Sequence, residues 1–223
     1  MTPGNETTTS SGKNRPCGRL LAVGDIHGRM DLLQTLLQRV APTADDQVVF
    51  LGDYIDRGPD PYGVIEYLLD FGKKLPDTVF LKGNHEAMLL DFLSGRNQLL
   101  YLLNGGATTL MGYRQDRHIL IPPAHQAFFD NLRMWYETDR FIFVHAGLRP
   151  GLPPASQDPE DLLWIREEFL ESDYDWGKTV VFGHTPVATP YFAENRIGLD
   201  TGAGHGRTLT CCDVRRRRCW SVK

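Results

Sequence analysis

Leu51-Gly52-Asp53-Tyr54-Ile55-Asp56-Arg57-Gly58 follows the apolar run Val48-Val49-Phe50 and packs two carboxylates and a guanidinium between two glycines. A buried strand that ends in such a concentration of charge sets acids and a base where water, metal or phosphate can reach them. Packing alone would not select it. Asp53 is the candidate to sit between two metal ions, and the rest of the chain can be read as supplying their other ligands.

Working outward, the same pattern recurs on both sides. Leu20-Leu21-Ala22-Val23 is a short apolar run that ends in Gly24-Asp25. After it, Leu32, Leu33, Leu36, Leu37 and Val40 fall on one face of a helix over Met30 to Val40. Val48 to Leu51 repeats the strand, and Pro61 to Phe71 repeats the helix, with proline at its start. Thr78 to Leu81 is a third strand ending in Gly83-Asn84, and Ala87 to Leu93 opens another helix. Such strand-helix-strand units imply crossovers and a largely parallel sheet, with ligands at the carboxyl ends of the strands.

Asn97 to Leu132 reads as helices broken at Gly105-Gly106 and Pro122-Pro123, with a helical segment over Ala124 to Leu132, a cap or flank beside the site. Strands then follow at Met134 to Glu137, Phe141 to Val144, Thr179 to Phe182, Arg196 to Leu199, Thr208 to Val214 and Cys219 to Val222. One helix, Pro159 to Leu170, lies among them. The expected fold is α/β, with two mixed β-sheets packed as a sandwich and flanked by helices.

With 223 residues and 41% hydrophobic content, the chain can build one large core. Residues 1–16 are almost without apolar side chains and are expected to form a flexible tail, leaving 17–223 as a single domain. A net charge of -4 gives no overall pull toward nucleic acid or anionic lipid. No apolar run approaches the ~18 residues of a membrane span, and no secretion signal is evident, so a cytoplasmic chain is expected. Cys17, Cys211, Cys212 and Cys219 contain no zinc-type pair and are read as free thiols.

Apolar runs stop at metal-binding residues in five places. Asp25 and His27 follow Gly24, Asp53 follows Gly52, Asn84 follows Gly83, His145 follows Val144, and His184 follows Gly183. Taken singly, such an aspartate is an ordinary turn former or helix cap and such a histidine an ordinary core residue. Six of them at strand ends in one chain point to a shared site. Carboxylate, imidazole and amide oxygen together suit Mn²⁺, Fe²⁺ or Zn²⁺ rather than Ca²⁺. They are also too many for one catalytic ion with open positions.

These residues resemble the metallophosphoesterases and, within them, the phosphoprotein phosphatases of the bacterial and phage lambda-like kind. The resemblance is carried by Gly24-Asp25-Ile26-His27-Gly28, Gly52 to Gly58, Gly83-Asn84-His85-Glu86, His145-Ala146-Gly147 and Gly183-His184-Thr185, in family order. Leu163-Trp164-Ile165-Arg166-Glu167-Glu168 is similar to the Trp-x-Arg-Glu segment of the lambda-like members.

The resemblance implies two divalent ions, Mn²⁺ first and Fe or Zn²⁺ as other choices of the family. Asp25 and His27 would bind one ion, Asp53 would bridge, and Asn84, His145 and His184 would bind the second. It further implies phosphomonoester hydrolysis, with serine/threonine phosphoproteins as substrates, by in-line attack of a hydroxide between the ions. His85 would be the general acid, with Asp56 holding its imidazole, an arrangement worth about 10²–10⁴-fold. Arg57 and Arg166 would grip the phosphate. Glu86 is read as favouring a helix N-terminus, and His205 as a substrate contact of open role. His118 and His125 are read as surface residues, and Arg215 to Arg218 as a solvated turn.

One alternative is a symmetrical dinucleoside tetraphosphate hydrolase of the same superfamily, whose corresponding segment typically lacks the acid that Asp56 supplies. The other is a catalytically silent binding module that kept the fold.

Overall fold

The computed structural model describes residues 18–223. The tail expected over residues 1–16 lies outside the described residues, as does Cys17. The first half runs β1 (Leu20–Val23), α1 (Met30–Val40), β2 (Gln47–Phe50), α2 (Pro61–Lys74), β3 (Val79–Phe80) and α3 (Asn84–Leu93). In α2 the helix start is set chemically: Pro61 stands at the first turn and the Asp60 side chain accepts from Gly63 N. The middle holds α4 (Gln98–Leu103), α5 (Ala107–Gly112), a small hairpin β4 (Arg114–Gln115) and β5 (His118–Ile119), and α6 (Pro123–Asp130). The remainder runs β6 (Trp135–Glu137), β7 (Phe141–Val144), α7 (Pro159–Trp164), α8 (Glu167–Leu170), β8 (Thr179–Phe182), β9 (Tyr191–Phe192), β10 (Arg196–Gly198), β11 (Leu209–Asp213) and β12 (Arg218–Val222).

The strands form two five-stranded mixed sheets, in the orders β12-β11-β1-β2-β3 and β6-β7-β8-β10-β9. β1, β2 and β3 are mutually parallel in the first sheet, and β7, β8 and β10 in the second; antiparallel pairing adds β11 and β12 on one side of the first sheet and closes both edges of the second with β6 and β9. Side-chain alternation sorts the core into layers. Leu20, Ala22 and Val49 point between the sheets and meet Phe141, Phe143, Val181 and Ile197. Leu21, Val23, Val48 and Phe50 point outward onto α1 and α2. On the far side Ile142, Val144, Val180 and Phe182 receive Leu162, Ile165 and Phe169. A Phe143→Ala truncation would cost about 3–5 kcal/mol, a large share of a domain's net stability, so the layer between the sheets is what holds them together.

Four details depart from the sequence reading. The Pro159 to Leu170 helix is two pieces: Ile165 is extended (φ -56°, ψ 141°) and Arg166 precedes α8 with φ -132° and ψ -90°. The middle carries the β4–β5 hairpin, whose turn residue Asp116 has φ 54°. The short strand β9 adds an edge to the second sheet. His125 is fully buried rather than on the surface, held between Tyr113 Oη and Glu66 Oε1 at 2.7 Å each, whereas His118 is exposed as expected. Polar partners on both ring nitrogens are what make that burial tolerable.

Cys211, Cys212 and Cys219 are free, although Cys212 and Cys219 are register partners across the β11–β12 hairpin. Residues 215–218 are exposed at its turn, with Arg216 paired to Asp213 at 2.8 Å. Among the described residues no helix is long and apolar enough to cross a membrane.

Candidate active site

The carboxyl ends of the parallel strands from both sheets meet at one place. The loops after β1, β2, β7 and β8 deliver Asp25 and His27, Asp53, His145 and His184 respectively, and the first turn of α3, which follows β3, delivers Asn84 and His85. None of these seven side chains is more than 6% exposed. Asp53 lies at the centre, with His27 Nε2 3.5 Å from Oδ2 and His145 Nε2 3.4 Å from Oδ1. Asn84 Oδ1 is 2.9 Å from His145 Nε2 and 3.1 Å from His184 Nδ1. Asp25 accepts from His184 N at 3.0 Å.

The chemistry of this donor set fits divalent ions. His27 Nδ1 faces the Ile55 carbonyl at 3.0 Å and His145 Nδ1 faces the Leu51 carbonyl at 2.8 Å. A carbonyl only accepts, so each Nδ1 carries the proton and each Nε2 of the neutral ring is a bare lone pair. The rings are neutral because burial pushes His27 down to about 3 and His184 down to about 2, and lowers His145 as well. The His145 nitrogen points at an oxygen of Asp53, acceptor against acceptor, and the His27 nitrogen, which Arg57 Nη1 also approaches at 2.8 Å, lies 3.5 Å from the other oxygen. A cation resolves such contacts, and backbone carbonyls behind the imidazoles are the usual support for ligating histidines. The metal-capable side chains fall into two groups, His27 with Asp53 and His85, and Asp53 with His145 and His184; Asp53 belongs to both.

Surplus negative charge points the same way. Burial, then Asp200 and Asp53, hold the Asp25 carboxyl well above its usual range. Asp200 is itself raised by burial, with Asp53 adding to the rise, and Glu86 is pushed up to about 8 by burial and then Asp53. The sequence reading did not single out Asp200. The signal was available, since Ile197-Gly198-Leu199 stops at an acid as the other strand ends do.

Backbone strain is concentrated here. His27, Asp53, Asp56, Arg57 and His184 all have positive φ, between 48° and 70°. Such non-glycine residues persist only when their surroundings over-determine them. Glu86 does much of this, accepting from Asp53 N at 3.0 Å, Tyr54 N at 2.9 Å and Gly83 N at 2.9 Å. It thus sits at the N-terminus of α3 as expected and also clasps the Asp53 loop. The glycines before the site residues serve mainly for close approach: a Cβ at Gly83 would collide with Asp53 Oδ1, and one at Gly183 with Asp25 Oδ1.

His85 Nδ1 meets Asp56 Oδ2 at 2.6 Å. Burial lowers the His85 pKa, but Asp53 and Asp56 outweigh it and the net shift is upward. Arg57 reaches His27 Nε2 at 2.8 Å, His85 Nε2 at 3.1 Å and His205 Nε2 at 3.4 Å. The break between α7 and α8 turns Arg166 toward Thr185, at 3.5 Å, and into the cavity that Arg57, Asn84, His85 and Asp53 also line. Trp164 walls it too, edge-on to His184 at 5.8 Å between ring centroids.

Residues 18–209 match the family model described as calcineurin-like phosphoesterase. A bis(5′-nucleosyl)-tetraphosphatase PrpE [asymmetrical] of Bacillus cereus (strain ATCC 14579) is 28% identical over 222 residues, spanning 84% of this chain and 87% of the relative. A crystal structure described, provisionally, as a diadenosine tetraphosphatase superposes with a TM-score of 0.72 at 25% identity, covering 92% of this chain and 93% of its own. A protein serine/threonine phosphatase of Saccharomyces cerevisiae shares the fold, with a TM-score of 0.62 at 15% identity over 88% of this chain and 72% of its own.

Proposed function

The chain belongs to the calcineurin-like phosphoesterase family, and from that premise we propose that it is a metal-dependent phosphomonoesterase acting on phosphoserine or phosphothreonine in proteins. The observation that carries this reading is the buried His85–Asp56 pair, 2.6 Å apart, in a cavity shared with two arginines. A serine or threonine alkoxide is a poor leaving group and needs a proton as the P–O bond breaks. A nucleoside phosphate released from an anhydride does not.

Asp25, His27, Asp53, Asn84, His145 and His184 would hold two divalent ions, Mn²⁺ being the proposed pair. When bound, these would polarise the phosphoryl oxygens and make a water nucleophilic near neutral pH. Arg57 and Arg166 then clamp the remaining phosphoryl oxygens, as planar guanidinium forks do. Arg57 now lies against Nε2 of His27 and Nε2 of His85. A phosphate drawing it outward would leave His85 Nε2 facing the leaving oxygen; the imidazolium, favoured by Asp53 and Asp56, gives its Nε2 proton to that oxygen while Asp56 holds Nδ1.

A second reading is supported by the relatives named bis(5′-nucleosyl)-tetraphosphatases: hydrolysis of a dinucleoside polyphosphate. The deciding experiment assays phosphopeptides and diadenosine tetraphosphate side by side, with Mn²⁺ restored after chelation. A higher kcat/KM on phosphopeptide is the expected result. Preference for the tetraphosphate would replace the first reading with the second.

A further inference from the structure

Asp56 is 0% exposed, and its second carboxylate oxygen does not face His85. That oxygen, Oδ1, accepts from Tyr101 Oη at 2.7 Å and from Thr109 Oγ1 at 2.5 Å. Thr109 Oγ1 in turn accepts from Asp56 N at 2.9 Å, so one hydroxyl ties both the carboxylate and the left-handed backbone (φ 70°) of the same residue. Both donors come from the middle helices, each of which turns a single buried side chain inward. Tyr101 is the one buried residue of α4, and Thr109 the one buried residue of α5. Leu99, Leu102 and Leu103 of α4 and Met111 of α5 are exposed. A packing role at the two inward positions would be met by apolar side chains. Two hydroxyls aimed at one carboxylate oxygen instead fix where the other oxygen points. Burial and the adjacent Asp56 charge keep the Tyr101 phenol protonated, so toward Asp56 it can only donate.

We infer that Tyr101 and Thr109 are positioning residues for the proton donor, and that α4 and α5 dock onto the site through them. By holding Asp56 Oδ1 they set the direction of Oδ2, and hence the tilt of the His85 ring toward the leaving oxygen. The inference rests on the reading of His85 as proton donor, and neither residue lines the cavity.

The test uses the full chain and two aryl esters of different leaving group, phenyl phosphate and p-nitrophenyl phosphate. Tyr101→Phe and Thr109→Val are each expected to lower kcat on phenyl phosphate about tenfold, a part of the ~10²–10⁴-fold that general acid catalysis supplies. KM should stay within about twofold, and kcat on p-nitrophenyl phosphate should stay near that of the parent. Thr109→Ser keeps the hydroxyl and should retain parental rates. In an Asp56→Asn background, Tyr101→Phe should have no further effect, since interacting residues are not additive. The downfield proton resonance of His85 Nδ1 should move in Tyr101→Phe, whichever substrate is natural.

Equal losses on both esters, additivity on Asp56→Asn, or an unmoved resonance with unchanged kinetics would overturn the inference. A His85→Asn control separates the two levels. If that variant loses equally on both esters, the proton-donor reading falls, and this inference with it. If it is leaving-group sensitive while Tyr101→Phe is not, only the positioning role falls.

Discussion

His145 aims a bare Nε2 at Asn84 Oδ1 from 2.9 Å while its Nδ1 donates to the Leu51 carbonyl at 2.8 Å. Two lone pairs confronting each other in a buried site call for a cation beside them. Removing divalent ions with a chelator should therefore abolish activity and lower the thermal midpoint. Ion binding to the folded state alone at about 100 times Kd is worth about 2.7 kcal/mol. Asp53→Asn, which alters the residue common to both groups, should show the same lowered midpoint with and without Mn²⁺. Elemental analysis of the loaded parent should return two ions per chain, and a single ion would refute the shared-aspartate arrangement.

His85→Asn should retain its metal, because its neighbours Asn84 and Asp53 are untouched. On a phosphoserine peptide kcat should drop by about 10²–10⁴-fold, with a much smaller loss on p-nitrophenyl phosphate. Steady-state kinetics on the two substrates, together with metal content, checks this.

Arg166 enters the cavity only because the chain breaks at Ile165. For Arg166→Ala a KM about tenfold higher on a phosphopeptide is expected, with metal content unchanged; a charge-assisted contact of about 1.5 kcal/mol accounts for a change of that size. Unaltered KM would return Arg166 to an ordinary surface arginine.

Asp46 caps the start of the first sheet far from the site. Its carboxylate accepts from Arg19 Nη2 at 2.6 Å, Arg19 N at 2.8 Å and Thr43 N at 2.9 Å. Burial would raise its pKa, but these donors, Arg19 first, bring it down to about 2. A depressed folded-state pKa means that the stabilisation is complete above the unfolded value near 4 and is lost as pH falls from there toward about 2. Asp46→Asn should cost about 1 kcal/mol at neutral pH. Urea unfolding at pH 7 and pH 2.5 should show that gap closing at the lower pH.

Local pattern carried much of the architecture. Leu20 to Val23 and Met30 to Val40 appear with the bounds that the short apolar run and the 3.6-residue stripe imply. It failed where a local pattern is indifferent to context. Leu162, Leu163, Ile165 and Phe169 are buried on one side, so one helix and two look alike in sequence, although only the broken form turns Arg166 inward. His125 read as a surface residue because the groups that satisfy it, Tyr113 and Glu66, lie 12 and 59 residues away in the chain.

The sequence by itself determined which side chains stand at the strand ends, and in what order, because metal-capable residues, all but His145 set just behind a glycine, end five of the apolar runs. The tertiary structure alone decided that the ends of two different sheets converge on Asp53, and that Asp200 joins the buried acids. It alone brought Tyr101 and Thr109, 45 and 53 residues on, to the far oxygen of Asp56. Periodicity reports which face of an element is apolar. Which elements become neighbours, and which lone pairs then confront one another, is settled only when the sheets pack.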